Sequence, residues 1–584
     1  MRFLRSLAAV LLLSLPLVSG CGDDKKPSAP TPESVVAPEV TSGPIAEIVP
    51  PPSVLAWGGA DNVEALVSGL QTFGQNVSPL MPRAFDLMQD ELRRRLAMTK
   101  LEGLDWKKPA RVVMFDPKAS PKGQFALVLG LANREQLLSG LPPTTVKKNN
   151  DEGNAITYRD DLGRNICLNF IDTSVVITWD KKQFAPNTEL FARLVRATTQ
   201  GKDVFYLSAQ NTAALYSKEI DDMAAQVKQQ MTSGPQAVPG MQAEVSLRVL
   251  TWMVQTFKEL DKIEVTPSLP QDGVVLSIRL HPKADSALQK SFQAIEAKSH
   301  DLIARFPADS TVFASFSTNP DVIDGLTTRL VEWAMSVGYG GKVPEQYSQT
   351  MRDYFQATSG QVALAVHKPF GGEGLTLTTL MTVRDEEKLR TSMRKSKETL
   401  KDKALVEMLK ATGTTLEYKE NAYKVGTIPV DTVTAKFDKQ KNPLSPLGPF
   451  GDAIGDLSNT HNAVTKDLAI IAYGSDAKKT IEAYVNGKAE GGLDKAAGVT
   501  RAFKMGVQNP VGIVYISPVE MAKRAAFGGK NPFAESLKDL AGTSGAAISF
   551  TAKGGILELV IDVPGEVAKN SVQAAARAKA LFPQ

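Results

Sequence analysis

Apolar and polar positions change rhythm along this chain. Leu7 to Val18 is an unbroken apolar run without a charge, and as a helix it would rise about 18 Å. A bilayer core needs about 20 such residues, so the run is too short for an ordinary membrane span. From Ser53 onward, short alternating stretches take turns with amphipathic ones. Val274, Leu276, Ile278 and Leu280 alternate with Val275, Ser277, Arg279 and His281, and Leu557, Leu559, Ile561 and Val563 with Glu558, Val560 and Asp562. A period of two with one more polar side predicts half-buried strands, mostly antiparallel. Met81, Phe85, Met88, Leu92 and Leu96 are spaced four, three, four and four apart, one face of a helix, with Pro82 in its first turn. These rhythms predict an α+β fold of mostly antiparallel sheets with helices packed on one face.

The segments recur in the same order. Ser53–Trp57 followed by a helix from Asn62 resembles Thr311–Ser315 followed by a helix from Pro320. A helix over Met81–Met98 matches one over Pro344–Ala357. Arg111–Phe115, Phe125–Leu131 and a helix from Asn133 match Gln361–His367, Leu375–Val383 and a helix from Asp385. Ala155–Tyr158 and Ser174–Ile177 match Thr415–Tyr418 and Leu468–Ile471, Asp203–Ser208 matches Gly512–Ser517, and the strand at Val274 with a helix near Ala287 matches the strand at Leu557 with a helix near Val567. Strands look alike one by one, so the shared order carries the reading: an internal duplication into halves 53–299 and 300–584. One irregular α+β domain is the competing reading. Pro307-Ala308-Asp309-Ser310 resembles the strand openings of exported bacterial proteins without a known activity, and the resemblance implies none here. Residues 438–466 hold Pro443, Pro446 and Pro449 among Leu444, Leu447, Phe450 and Ile454, which predicts an inserted loop that packs on its own domain or meets a partner.

Between the first apolar run and the first strand, Gly22–Pro52 has eight prolines and no aromatic residue. Such a stretch buries too little apolar surface to offset its ordering entropy, so 21–52 is expected to be a disordered spacer reaching roughly 90 Å. Ahead of it, Arg2 and Arg5 precede the run, and small residues follow it, the layout of an export signal over 1–20. Val18-Ser19-Gly20-Cys21 resembles the lipobox of bacterial lipoproteins, although that family more often has leucine at the place of Val18. The resemblance implies cleavage before Cys21, a diacylglycerol on its thiol and acylation of the new amine. An ordinary signal with a chance cysteine is the alternative. One acyl chain anchors only marginally, but two or three on one residue hold firmly. In the family, aspartate after the cysteine retains the protein in the inner membrane. Gly22 stands there instead, with Asp23 and Asp24 one place late, so the outer membrane is expected, on its periplasmic side or at the cell surface. No later run is long and apolar enough for a second crossing.

Composition then excludes some functions. Lys and Arg number 67 against 63 Asp and Glu, and loss of Arg2 and Arg5 with the signal leaves a balance of +2. That is too even for a nucleic-acid binder, which needs many phosphate contacts. With 43% hydrophobic and 22% charged residues the rest is ordinarily globular, and its length suits two to four domains. Only Cys21 and Cys167 are present, so no intrachain disulfide is expected, and Cys167 in Asn165–Phe170 reads as a buried strand residue rather than a nucleophile.

Few motifs that carry chemistry are present. His-Glu-x-x-His, Cys-x-x-Cys, Gly-x-Ser-x-Gly and the phosphate-binding loop are all missing, and Gly340-Gly341-Lys342 and Gly528-Gly529-Lys530 read as turns. Ser392-Met393-Arg394-Lys395 and Ser475-Asp476-Ala477-Lys478 fit Ser-x-x-Lys without its partner motifs, and read as helix starts with capping serines. His281, His300, His367 and His461 lie far apart, which predicts no metal site. Asp160-Asp161, Asp221-Asp222 and Arg93-Arg94-Arg95 read as solvated faces. No catalytic residue or cofactor is expected. The sequence thus points to a non-catalytic envelope protein, held to the membrane through lipid on Cys21, that binds a partner protein, a lipid or another envelope component. An envelope hydrolase with a dispersed site, or a surface scaffold for adhesion, are the alternatives.

Overall fold

The alternating stretches become strands and the amphipathic ones helices in the computed structural model. It describes residues 43–581 apart from 78–82, 120–123, 143–147, 150–154, 160–162, 164, 234–250, 320–344, 369, 371–375, 400–405, 407–413, 438–458, 475, 526–531 and 541–543. Together the helices and the antiparallel strands make the α+β fold that the patterns predict. Contacts divide the chain into two units, one of Met1–Gln75 and Leu80–Phe205, the other of Asn76–Pro79 and Tyr206–Gln584.

The first unit is built on β1 (Val54–Ala60), β2 (Ala110–Phe115), β3 (Phe125–Gly130), β4 (Lys148–Asn149), β5 (Ala155–Arg159), β6 (Asn165–Ile171) and β7 (Ser174–Thr178). They form one antiparallel ladder in the order β4-β5-β6-β7-β3-β2-β1. β8 (Val204–Ser208) carries the chain into the second unit. Residues 43–52, expected to belong to the spacer, lie on the first unit instead. Ile45 and Ile48 are buried, and the Ile45 amide donates to the Thr198 carbonyl at 3.0 Å. Ile45 and Ile48, five and two residues before Pro50, supply the buried apolar surface that holds this stretch.

The second unit holds β9 (Leu260–Ser268), β10 (Gly273–Pro282), β11 (Val312–Ser317), β12 (Thr358–His367), β13 (Thr376–Val383), β14 (Thr414–Val425), β15 (Ile428–Phe437), β16 (Asn459–Val464), β17 (Leu468–Tyr473), β18 (Gly512–Ile516), β19 (Ala546–Lys553) and β20 (Ile556–Pro564). Pairing runs without a break, always antiparallel, as β14-β15-β16-β17-β13-β12-β11-β18-β19-β20-β10-β9. The turn from β19 to β20 is Gly554-Gly555, with φ of +60° and +80°. Two successive left-handed residues let strands reverse in two steps, and glycine adopts that backbone without steric cost. β16 falls inside the expected loop 438–466. Its sequence, Asn-Thr-His-Asn-Ala-Val, has little alternation to read. It becomes a strand because β15 and β17 each offer it an open ladder edge.

Helices lie on both faces of each ladder, not on one. In the first unit, helix Thr188–Arg196 sets Phe191 against Phe115, with ring centroids 6.3 Å apart. On the opposite side, Leu96 and Leu137 pack with Leu129, Ile156, Leu168 and Val175. In the second unit, Ile481 of helix Ala477–Val485 and Val499 of helix Ala497–Met505 join Phe313, Leu380, Ile470 and Tyr515 on one face. Leu389 of helix Glu386–Thr399 joins Met381 and Ala469 on the other. The reason is that β13 and β17 are apolar at consecutive positions, Leu380-Met381 and Ala469-Ile470, so each side needs cover. Ser392 lies in the middle of helix Glu386–Thr399, donating to the Lys388 carbonyl at 3.0 Å, and Asp385 caps the start by accepting from the Lys388 amide at 2.9 Å. Serine is tolerated there because its hydroxyl bonds back four residues.

Two order relations stand out. The first unit's ladder and the β14-to-β11 stretch of the second follow the same numbering, each strand replaced by the one ten later. By ladder place Ala155–Arg159 matches β15, whereas the strand at Thr415 takes the place of β4. Hairpin β9–β10 meets hairpin β19–β20 through β10 and β20, with Ser277 opposite Val560 and Ile278 opposite Leu559.

Candidate functional site

The residues singled out in the sequence are mostly spoken for inside the fold. Cys21 with Val18–Gly20, Asp160-Asp161, Gly340-Gly341-Lys342, Gly528-Gly529-Lys530 and Ser475 lie outside the described residues. Cys167 is buried on β6, with the Thr157 hydroxyl 3.6 Å from its Sγ. Asp221 accepts from Lys258 Nζ at 2.7 and 2.8 Å on an exposed surface. Arg93 reaches Asp90 at 3.0 Å, and Arg94 and Arg95 pair with Glu91, so the arginine triplet is a helix face of local ion pairs. Among the described residues, no group of three or more His, Cys, Asp or Glu is placed to hold a metal.

Each histidine is held by its neighbours. The Pro510 carbonyl can only accept, so His300 donates from Nε2 at 2.8 Å and receives the Ser315 hydroxyl at Nδ1, 2.7 Å away. His367 likewise donates from Nδ1 to the Lys368 carbonyl at 2.6 Å and accepts from Thr378 at 2.9 Å. The Tyr423 hydroxyl and His461 Nδ1 share a hydrogen bond of 2.7 Å. Burial pushes all three rings below the usual histidine range, and the nearby Lys478 charge adds to this at His461. His281 faces Glu264 at 3.3 Å, within a ladder that crosses three strands. Arg279 reaches Glu264 at 3.3 Å and Glu558 at 3.0 Å. Burial alone would raise the Glu264 carboxyl, but the His281 bond and the Arg279 charge hold it below the usual range.

A tighter polar cluster sits in the first unit. Arg111 is fully buried on β2 and donates to the carbonyls of Ala60 (2.6 Å), Ala110 (3.1 Å) and Ala197 (2.8 Å) and to Asp61 Oδ1 (2.6 Å). Asp61 also accepts from the Thr199 amide at 3.3 Å. Those bonds and the Arg111 charge outweigh burial and hold Asp61 below its ordinary value. Asp203 has the opposite fate. Burial, then the Asp61 charge, push it up to about 6, with Arg111 opposing. The cluster ties the loop at 197–203 to the ends of β1 and β2, a structural clamp assembled from three separate segments that no local motif announces.

The other unusual surface has no charge at all. From β9 to β12 the register places side chains in straight rows. One row is Pro267, Leu276, Ile561, Ile548, Val514, Ala314 and Leu364. The next is Val265, Ile278, Leu559, Phe550, Gly512, Phe316 and Val362. None of these residues carries a polar side-chain atom. The row ends are covered, with Pro267 buried and Val362 packed against the Met381–Leu389 cluster. In the middle, Phe316 is 38% and Ile548 42% exposed, and Ile516, two residues beyond Val514 on the same side of β18 and opposite Ala546 and Val312, is 40% exposed. Phe316 and Phe550 lean towards each other over Gly512, ring centroids 6.1 Å apart. The sequence shows the alternation of β10 and β20, but nothing local shows that seven strands line up their apolar sides.

No family model matches the chain, and no curated protein does. Among solved structures, three crystal forms of TP0453 are similar, each at a TM-score of 0.20. Form IV is 9% identical over 39% of this chain and 76% of that one. Form III is 10% identical over 42% and 86%, and form I 12% over 42% and 84%. A likeness of that size carries no argument about fold or function.

Proposed function

We propose that this chain is a lipid-anchored, non-catalytic protein of the bacterial cell envelope whose body binds a lipid, a partner protein or another envelope component. The observation that carries the reading is Val18-Ser19-Gly20-Cys21 placed directly after a charge-free apolar run and directly before a proline-rich spacer. Two or three acyl chains on Cys21 would make escape from the bilayer strongly unfavourable, at about 0.8 kcal/mol for each buried methylene. Gly22 in place of aspartate supports the outer membrane. A non-catalytic role is supported by the way the histidines and the Arg111 cluster are engaged in contacts within the fold. No helix among the described residues is long and apolar enough to cross a membrane. Growth with labelled palmitate tests this: mature protein should carry the label, and Cys21→Ala should abolish both label and cleavage. Unlabelled mature protein would overturn the tether.

The body is also proposed to descend from a duplicated half. Support comes from the shared ladder order and from hairpins β9–β10 and β19–β20. Gly273 and Pro282 begin and end β10, and Gly555 and Pro564 stand at the same spacing around β20. With those ends matched, Ser277 corresponds to Leu559 and Ile278 to Val560. The observed pairs, Ser277 with Val560 and Ile278 with Leu559, are then exchanged by a local two-fold axis, as two copies of one hairpin would be. A crystal structure in which the halves fail to superpose strand for strand would sink the duplication.

A further inference from the structure

We infer that the open middle of the charge-free rows on β10, β20, β19, β18 and β11 is a binding surface for the acyl chains of membrane phospholipid. Phe316, Ile516 and Ile548 stand on three adjacent strands, each between a third and a half exposed. Water-facing apolar side chains are ordinary when scattered, but a contiguous group of this kind marks a binding face. The chemistry of the face selects its occupant. A protein partner brings polar groups to its rim, about one hydrogen bond for every 100–200 Å². Here the side chains offer no donor or acceptor, and the main-chain groups of these inner strands are used by the ladder on either side. A hydrocarbon chain asks for no hydrogen bond and gains from contact alone. From β10 to β11 the uncovered part of the rows spans about 19 Å, at ~4.8 Å per strand, enough for acyl chains of one leaflet, which reach about 15 Å. The 22 residues from Cys21 to Gly43 span about 70 Å when extended, so the described chain begins within that distance of a bilayer, where phospholipid is the apolar ligand at hand. That last step rests on the proposed tether; the chemistry of the face does not.

The test uses the mature full chain carrying Cys21→Ala, so that no anchor contributes. Its probe is a phosphatidylethanolamine with a fluorescent acyl chain, offered from vesicles of phosphatidylethanolamine and phosphatidylglycerol. Saturable binding and transfer between vesicles are expected. Ile516→Glu with Ile548→Glu should weaken binding at least about tenfold, because two exposed contacts are replaced by charges. Both side chains are about two-fifths exposed and the longer glutamates can carry their charge to water, so the thermal midpoint should fall only slightly. Phe316→Ala with Ile548→Ala serves as the milder pair if the glutamates disturb folding. No saturable binding, binding that neither pair alters, or self-association through this face without lipid uptake would each overturn the inference. Palmitate labelling of the unsubstituted chain is read separately. Label without probe binding rejects this inference and keeps the tether, and probe binding without label does the reverse.

Discussion

Arg111 Nη2 donates to Asp61 Oδ1 at 2.6 Å, and the same guanidinium donates to three backbone carbonyls, of Ala60, Ala110 and Ala197. Arg111→Leu would leave the Asp61 charge and those carbonyls without it. Asp61 is 31% exposed and keeps the Thr199 amide, so the loss is that of the buried carbonyls' donor and a screened pair, about 1–3 kcal/mol, and unfolding of the first unit in urea should show a loss of that order. Asp61→Asn keeps a hydrogen-bond acceptor and should cost distinctly less. Equal losses would mean that the ion pair, which both variants remove, carries the clamp and the carbonyl contacts do not.

Asp203 should weaken the first unit at neutral pH. Its folded value of about 6 lies above the usual 3.8, so the folded state holds the proton more tightly than the unfolded chain. Stability is then fully present below about pH 4 and is lost as pH rises through 6. A shift of that size corresponds to about 3 kcal/mol, and partial exposure screens it to roughly 1–2 kcal/mol. Asp203→Asn mimics the protonated form. It should raise the urea midpoint at pH 7.5 and leave it unchanged near pH 4. A midpoint that falls at pH 7.5 would show that the charge has a favourable partner.

The buried histidines impose the opposite trend on the second unit. His300, His367 and His461 are held below 6.5, so the unfolded chain takes up protons first as pH falls. Stability they support at pH 7.5 should drop once pH passes below about 6.5. His367→Gln retains hydrogen-bonding groups but cannot be protonated in this range. Urea midpoints at pH 7.5 and 5 should differ less in that variant than in the parent, and an unchanged difference would exclude His367 as a contributor.

Gly512 lets two phenylalanine rings share one place on the sheet. A methyl group there would lie 2.3–2.4 Å from the Phe550 ring and 3.0 Å from Phe316. Gly512→Ala should force the rings apart at a cost of about 1–3 kcal/mol. Adding Phe550→Leu should recover part of that loss. Thermal unfolding of the single and double variants measures the recovery, and simple additivity would place the strain elsewhere.

What the sequence settled by itself was local. A period of two is a property of neighbours along the chain, so the strands at Val274–Leu280 and Leu557–Val563 were legible, as was helix Ala84–Arg95 from its four-and-three spacing. Cys167 was readable as a buried strand residue for the same reason. Asn459–Val464 was not legible, because its strand state comes from two flanking ladders rather than from its own side chains. Tertiary structure alone decided that Asp61, Arg111 and Asp203 meet, since each stands on a different segment and none has a motif around it. It also decided that Ile278 lies opposite Leu559, so that alternate apolar positions in distant stretches merge into one uncharged face. Register between distant strands is set by which side chains find cover and by the connections that join them, and that information is spread over the whole fold rather than written at any one place in the chain.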